Sequence, residues 1–92
     1  MRHLRITSQF NRDFKLAIKR GKNIEKFKAV RDRLMHSELL EPKYRDHPLR
    51  GKWGDCKDCH IEPDWLLIYK VEYGDPETLI LVRLGSHADL FK

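Results

Sequence analysis

Two stretches rich in aromatic and β-branched side chains, Trp65 to Tyr73 and Thr78 to Leu84, are separated only by Gly74-Asp75-Pro76-Glu77. Such runs favour extended chain, and a break holding Gly, Asp and Pro turns it back on itself. The last third of the chain is therefore expected to form an antiparallel hairpin. In its return strand Ile80, Val82 and Leu84 share one face, and Leu79, Leu81 and Arg83 the other. On that alternation Arg83 ends a largely buried row. Lys57 to Ile61 reads as a further strand, closed by the break Glu62-Pro63-Asp64.

Upstream the period changes. His3 to Ile6 reads as a short strand, after which Phe10, Phe14, Ala17 and Ile18 fall on one face of a helix. Ser8 is its expected N-cap, Lys19 and Arg20 lie in its last turn, and Gly21 supplies a left-handed cap. Asn23 can cap a second helix whose inner stripe is Ile24, Phe27, Val30, Arg31 and Leu34. So short a connection predicts an antiparallel helix pair. Pro42 and Pro48 bracket a loop, Lys43 to His47. Ser86 and Asp89 have the spacing of a capping box, which predicts a last helical turn over His87 to Phe91. Helices first and strands afterwards imply the α+β class: two N-terminal helices packed on one face of a small antiparallel, partly mixed sheet, with residues 1–92 forming one domain.

Lys plus Arg number 19 against 14 Asp plus Glu, a net charge of +5. The excess is concentrated between Asn11 and Arg33, where Arg12, Lys15, Lys19, Arg20, Lys22, Lys26, Lys28, Arg31 and Arg33 face only Asp13, Glu25 and Asp32. An acidic partner is implied, nucleic acid above all, through backbone contacts that carry no sequence information. No apolar stretch approaches a membrane span and no apolar region follows the basic start, so a cytoplasmic protein without membrane partners is expected. There Cys56 and Cys59 remain reduced.

Cys56-Lys57-Asp58-Cys59-His60 matches the C-x-x-C-H pattern of haem attachment and half a zinc site. Haem attachment belongs to exported proteins. In extended chain the two cysteines point to opposite faces, and no second ligand pair has zinc-like spacing. No metal and no cofactor are expected.

Four residues carry the chemistry: His47, His60, Asp64 and His87. His60 ends one strand, Asp64 starts the next, and Arg83 to His87 leave the hairpin's return strand beside that start. An antiparallel sheet brings these together at one edge, and His47 joins them if its loop folds over. The set suits cleavage of RNA by its own 2′-hydroxyl. That reaction needs a base for the 2′-proton, an acid for the departing 5′-oxygen and cations around the phosphorane, and imidazoles titrate where the first two roles are filled. Arg83 and Lys43 are candidates for the charge, and Trp65 and Phe91 for stacking on splayed bases.

Three ordered blocks, Lys43-Tyr44-Arg45-Asp46-His47-Pro48-Leu49-Arg50-Gly51, His60-Ile61-Glu62-Pro63-Asp64-Trp65-Leu66-Leu67-Ile68-Tyr69-Lys70 and Arg83-Leu84-Gly85-Ser86-His87-Ala88-Asp89-Leu90-Phe91, closely resemble the YafQ branch of the RelE/ParE toxin superfamily. The resemblance spans the whole chain and departs at Cys56, where relatives are often aromatic. It implies a RelE-like microbial RNase fold and a ribosome-dependent mRNA endonuclease that cuts the exposed codon in the aminoacyl site, with the 70S ribosome and a co-expressed antitoxin as partners. By motif match His47, His60, Asp64 and His87 correspond to the catalytic set. Arg83, Trp65 and Phe91 correspond to supporting or RNA-contacting positions. His87 is the expected acid, Asp64 or His60 the base, and His47 and Arg83 hold the phosphate. Two readings from other classes stand beside this one: a ParE-like inhibitor of a DNA-handling enzyme, and a plain RNA-binding module. Neither needs an acid–base pair.

Overall fold

The chain, whose computed structural model describes residues 1–91, runs β1 (His3–Ile6), α1 (Ser8–Lys19), α2 (Ile24–Met35), β2 (His47–Pro48), β3 (Lys57–Glu62), β4 (Trp65–Glu72), β5 (Thr78–Gly85) and α3 (His87–Phe91). The expected hairpin is β4–β5. The five strands form one sheet in the order β1-β5-β4-β3-β2. Only β1 runs parallel to its neighbour, β5, so the sheet is mixed and the α+β expectation holds.

Side-chain alternation divides the apolar residues between the two faces of the sheet. On one face Phe10 and Ala17 of α1 and Phe27, Val30 and Leu34 of α2 cover Cys59, Trp65, Leu67, Tyr69, Leu79, Leu81 and Leu84. Phe14 and Phe27 meet edge to face at 5.5 Å, and Phe10 lies 5.7 Å from Phe27, joining the two helices. The opposite face carries a smaller cluster, Cys56, Leu66, Ile68 and Leu90, edged by Leu49, Trp53 and Val82. The two thiols thus lie in separate cores, as their spacing requires.

Helix ends follow local chemistry. Asn23 caps α2 through the Glu25 amide, and Gly21 takes a φ of +74°. The N-cap of α1 is Thr7 and not Ser8. Its hydroxyl accepts from the Phe10 amide at 3.0 Å and donates to the Val82 carbonyl at 2.8 Å, a second bond open only to the residue nearest β5. A second difference concerns β5. The register with β4 shifts between Ile68 and Tyr69, so one residue of β5 bulges and the alternation changes phase. Leu84, not Arg83, joins Leu79 and Leu81 in the helix-side core.

Arg83 instead grips Asp13. This α1 carboxylate is 7% exposed, accepts Nε of Arg83 at 2.8 Å and Nη2 at 3.2 Å, and also accepts the Leu84 amide at 3.0 Å and the Gln9 side chain at 3.0 Å. Burial alone raises the Asp13 carboxyl. The Arg83 fork, the Leu84 amide and Gln9 outweigh that and hold it below the ordinary carboxylate range. Its stabilisation is therefore complete at neutral pH and is lost as pH falls below about 4. Asp13→Asn should lower stability at neutral pH by about 2–3 kcal/mol, since it strands a half-buried guanidinium, and should flatten the acid side of the stability–pH curve. Thermal melts of both proteins across pH 3–7 check this.

Candidate active site

The site is built on the sheet face opposite the α1–α2 pair. His60 pairs with Leu66 and Asp58 with Ile68, and both partners belong to that face's cluster, so Asp58 and His60 project there together. His47 was expected in a loop. It lies in β2, a two-residue strand paired with β3, and its register partner is Asp58. A 3₁₀ turn at Pro42–Tyr44 and a left-handed Arg45, with φ +50°, deliver the chain to that strand. His87 opens α3, and α3 is pinned to this face by Leu90.

The result is a row of rings. His47 and His60 have centroids 6.3 Å apart, His60 and His87 5.4 Å, and His87 and Phe91 6.3 Å. Asp64 holds the end of the row: one of its oxygens accepts the His87 backbone N–H at 2.9 Å and lies 2.6 Å from His87 Nδ1. A carboxylate only accepts, so Nδ1 carries the hydrogen and Nε2 of His87 is left for proton exchange. These His87 bonds, the backbone one first, hold the Asp64 carboxyl below the ordinary carboxylate range. The tail is braced as its sequence predicted: the Asp89 amide donates to the Ser86 hydroxyl at 3.1 Å and the Ser86 amide to Asp89 at 3.0 Å. Arg20 adds a 2.7 Å bond to Asp89, and that ion pair foremost, with the Ser86 amide, brings the Asp89 carboxyl down to about 2. The approach is tight enough that a Cβ on Gly85 would stand 2.9 Å from that of Asp89.

Lys43 lines a cavity of about 700 Å³ with Lys26, Tyr44, Arg45, His60 and Glu62, its Nζ lying 3.9 Å from Glu41 and 5.1 Å from the Tyr44 ring centroid. Phe91 is 44% exposed and open for stacking. Trp65 is 2% exposed within the helix-side core, with Lys22 Nζ 5.6 Å from its ring centroid, and it borders a small cleft with Lys22, Asp64 and Ser86. Arg83 spends two of its three nitrogens on Asp13, and its role in the fold is that anchor. The basic helices are also less free than their charge count implies. Lys22 and Lys26 bond Glu62, Lys28 pairs with Glu25, and Arg31 with Asp32, while Lys15 and Lys19 have no ion pair among the described residues.

Asp58 was missed from sequence. It stands two positions before His60 in a strand, which puts it on the same face, but it lies inside the C-x-x-C-H pattern and drew no notice of its own. Burial pushes its carboxyl up, while His47, His60 and His87 pull it back.

These features define a small α+β protein that gathers three imidazoles and two carboxylates on one sheet face. The family described as bacterial toxin of type II toxin–antitoxin system, YafQ, matches residues 2–92, and the chain belongs to this family. A relative from Escherichia coli (strain K12), mRNA interferase toxin YafQ, is 42% identical over 91 residues, covering 98% of this chain and 96% of its own. The crystal structure of the E. coli DinJ–YafQ toxin–antitoxin complex matches with a TM-score of 0.89 at 40% identity, over 99% of this chain and 98% of that one. A metal-bound toxin from Helicobacter pylori matches with a TM-score of 0.91 at 40% identity, over 99% and 100%. In the present chain no three His, Cys, Asp or Glu side chains among the described residues are disposed to share one ion, and His87 Nδ1 is already committed to Asp64. The donors as arranged do not fit a metal.

Stability and the row of rings should separate within α3. Leu90→Ala removes a buried side chain and should cost about 2–3 kcal/mol. His87→Ala removes a half-exposed ring and should stay within about 0.5 kcal/mol of the parent. Denaturant melts of the two variants decide it. Equal losses would show that the row itself holds the tail.

Proposed function

We propose that this chain is a ribosome-dependent endoribonuclease that cuts mRNA in the aminoacyl site, acts in the cytoplasm without a metal, and is held inactive by a cognate antitoxin. The names of its relatives support the activity and the partner: an mRNA interferase toxin, and a YafQ solved in complex with DinJ. Among the described residues no helix is long and apolar enough to cross a membrane.

The observation that carries the chemistry is the row of three imidazoles with His87 locked by Asp64 at one end. His87 is the acid in this reading: Asp64 keeps Nδ1 protonated and steadies the imidazolium, so Nε2 presents the proton to the departing 5′-oxygen. Asp64 is then a positioning residue and not the base. An imidazole titrates near neutral pH and is better matched than a carboxylate to taking the 2′-hydroxyl proton, so the base is an imidazole from the rest of the row. Lys43 faces the phosphate, Arg83 supports from its anchor, and Phe91 stacks on a displaced base.

Toeprinting of a translated mRNA tests this. We expect cleavage inside the occupied codon, retained under a zinc-selective chelator that leaves ribosomal Mg²⁺ in place, and reduced about 10²–10⁴-fold in His87→Ala. No cleavage by the wild type would favour an inhibitor or plain RNA-binding protein. Loss under the chelator with ribosomes intact would contradict metal independence.

A further inference from the structure

We infer that Asp58 is a positioning residue that makes His47 the general base of the reaction proposed above, an inference that rests on that reading. His47 is held at two points on one side of its ring. Its Nδ1 lies 2.6 Å from the Arg45 carbonyl, and because a carbonyl only accepts, Nδ1 carries the hydrogen. The same nitrogen lies 3.2 Å from Asp58 Oδ1, the carboxylate directly across the β2–β3 register. Nε2 is left unprotonated in the neutral ring, on a side chain that is 49% exposed. This is the tautomer a base needs.

Asp58 is unusual because its only close partner in the resting site is the His47 ring, at a poor hydrogen-bonding angle. It is 2% exposed, and its buried Oδ1 has no well-aligned donor. The groups that face it are His47 on β2, His60 on β3, His87 on α3 and the like charge of Asp46. Asp46 is itself bound by Lys57 and the Tyr69 hydroxyl. No Lys or Arg pairs with Asp58 among the described residues, so only an imidazolium can compensate it. A buried carboxylate without a counter-charge is costly, and it becomes favourable when the ring beside it is protonated. Protonation of His47 is the event that accompanies 2′-oxygen attack, so Asp58 stabilises the transition state more than the resting state. Asp64 differs, since its side chain is exposed to solvent.

The 2′-hydroxyl proton passes to His47 Nε2, the 2′-oxygen bonds to phosphorus, the P–O5′ bond breaks, and the 5′-oxygen takes the proton of His87 Nε2. The products are a 2′,3′-cyclic phosphate and a 5′-hydroxyl. His60 lies between the two dyads, beside the phosphate.

Single-turnover cleavage on programmed ribosomes tests this with wild type, Asp58→Asn, His47→Ala and the double variant. Asp58→Asn should slow cleavage at saturating protein by about 10–100-fold, part of the 10²–10⁴-fold that a general base supplies, with half-saturating concentration within twofold. The low-pH limb of its rate profile should move to lower pH, because an imidazolium beside a carboxylate gives up its proton less readily than one without. The double variant should be no slower than His47→Ala, and the melting temperature of Asp58→Asn should match or exceed that of wild type. An unchanged rate and limb, or multiplied losses in the double variant, overturn the inference. So does a melting temperature that collapses in both Asp58→Asn and Asp58→Ala, which assigns a structural role. A wild-type chain that cuts no mRNA overturns the functional reading and this inference with it.

Discussion

The bond between Asp13 and Arg83 joins residues 70 positions apart and ties α1 to the end of β5. Everything that follows in the chain depends on where that end points. The same carboxylate takes the Leu84 amide, so the last residues of the strand are fixed in backbone as well as side chain. Gly85 then lets the chain pass close against Asp89, and His87 emerges beside Asp64. A buried ion pair is a poor source of net stability, because desolvation offsets most of its attraction. Its value here is directional: no apolar substitute would fix both a guanidinium and an amide at the mouth of the site.

Each sheet face has its own work. The helix-side core holds the phenylalanines and the leucines of the hairpin and accounts for most of the burial. The other face is only partly covered, by α3 and the Leu49–Trp53 segment, and the histidines occupy the remainder. Alternation along β3 sends Cys59 into the core and Asp58 and His60 to the open face, so one strand serves both. The two carboxylate–imidazole pairs stand on either side of His60, one backed by a buried acid and the other by an exposed one. That difference in solvation distinguishes the two chemically similar pairs and underlies the separate roles proposed for them.

Most of this was readable where the cause is local. The hairpin, the caps at Gly21 and Asn23 and the Ser86–Asp89 box follow from a few adjacent side chains, and strand ends brought His60, Asp64 and His87 together. What escaped has a distant cause. The bulge in β5 comes from pairing with β4 and moved Leu84 into the place expected for Arg83. Strand β1 was read at its observed bounds, but its partner β5 lies some 75 residues on and nothing local names it. Asp13 looked like one of three acids among nine bases, though its partner lies on another element. Trp65 was offered for stacking because aromatic residues at strand starts serve both cores and ligands, and its ring packs in the helix-side core.

The central claim is that the RNA's own 2′-hydroxyl is the nucleophile and that imidazoles move its proton. An mRNA carrying a single 2′-deoxy nucleotide immediately 5′ of the cleaved bond, placed in the aminoacyl site of a programmed ribosome, tests it most directly. The account predicts that this message stays intact while its all-ribose counterpart is cut to a 2′,3′-cyclic phosphate and a 5′-hydroxyl. Cleavage of the deoxy message at the normal rate, or fragments ending in a 3′-hydroxyl and a 5′-phosphate, would contradict it.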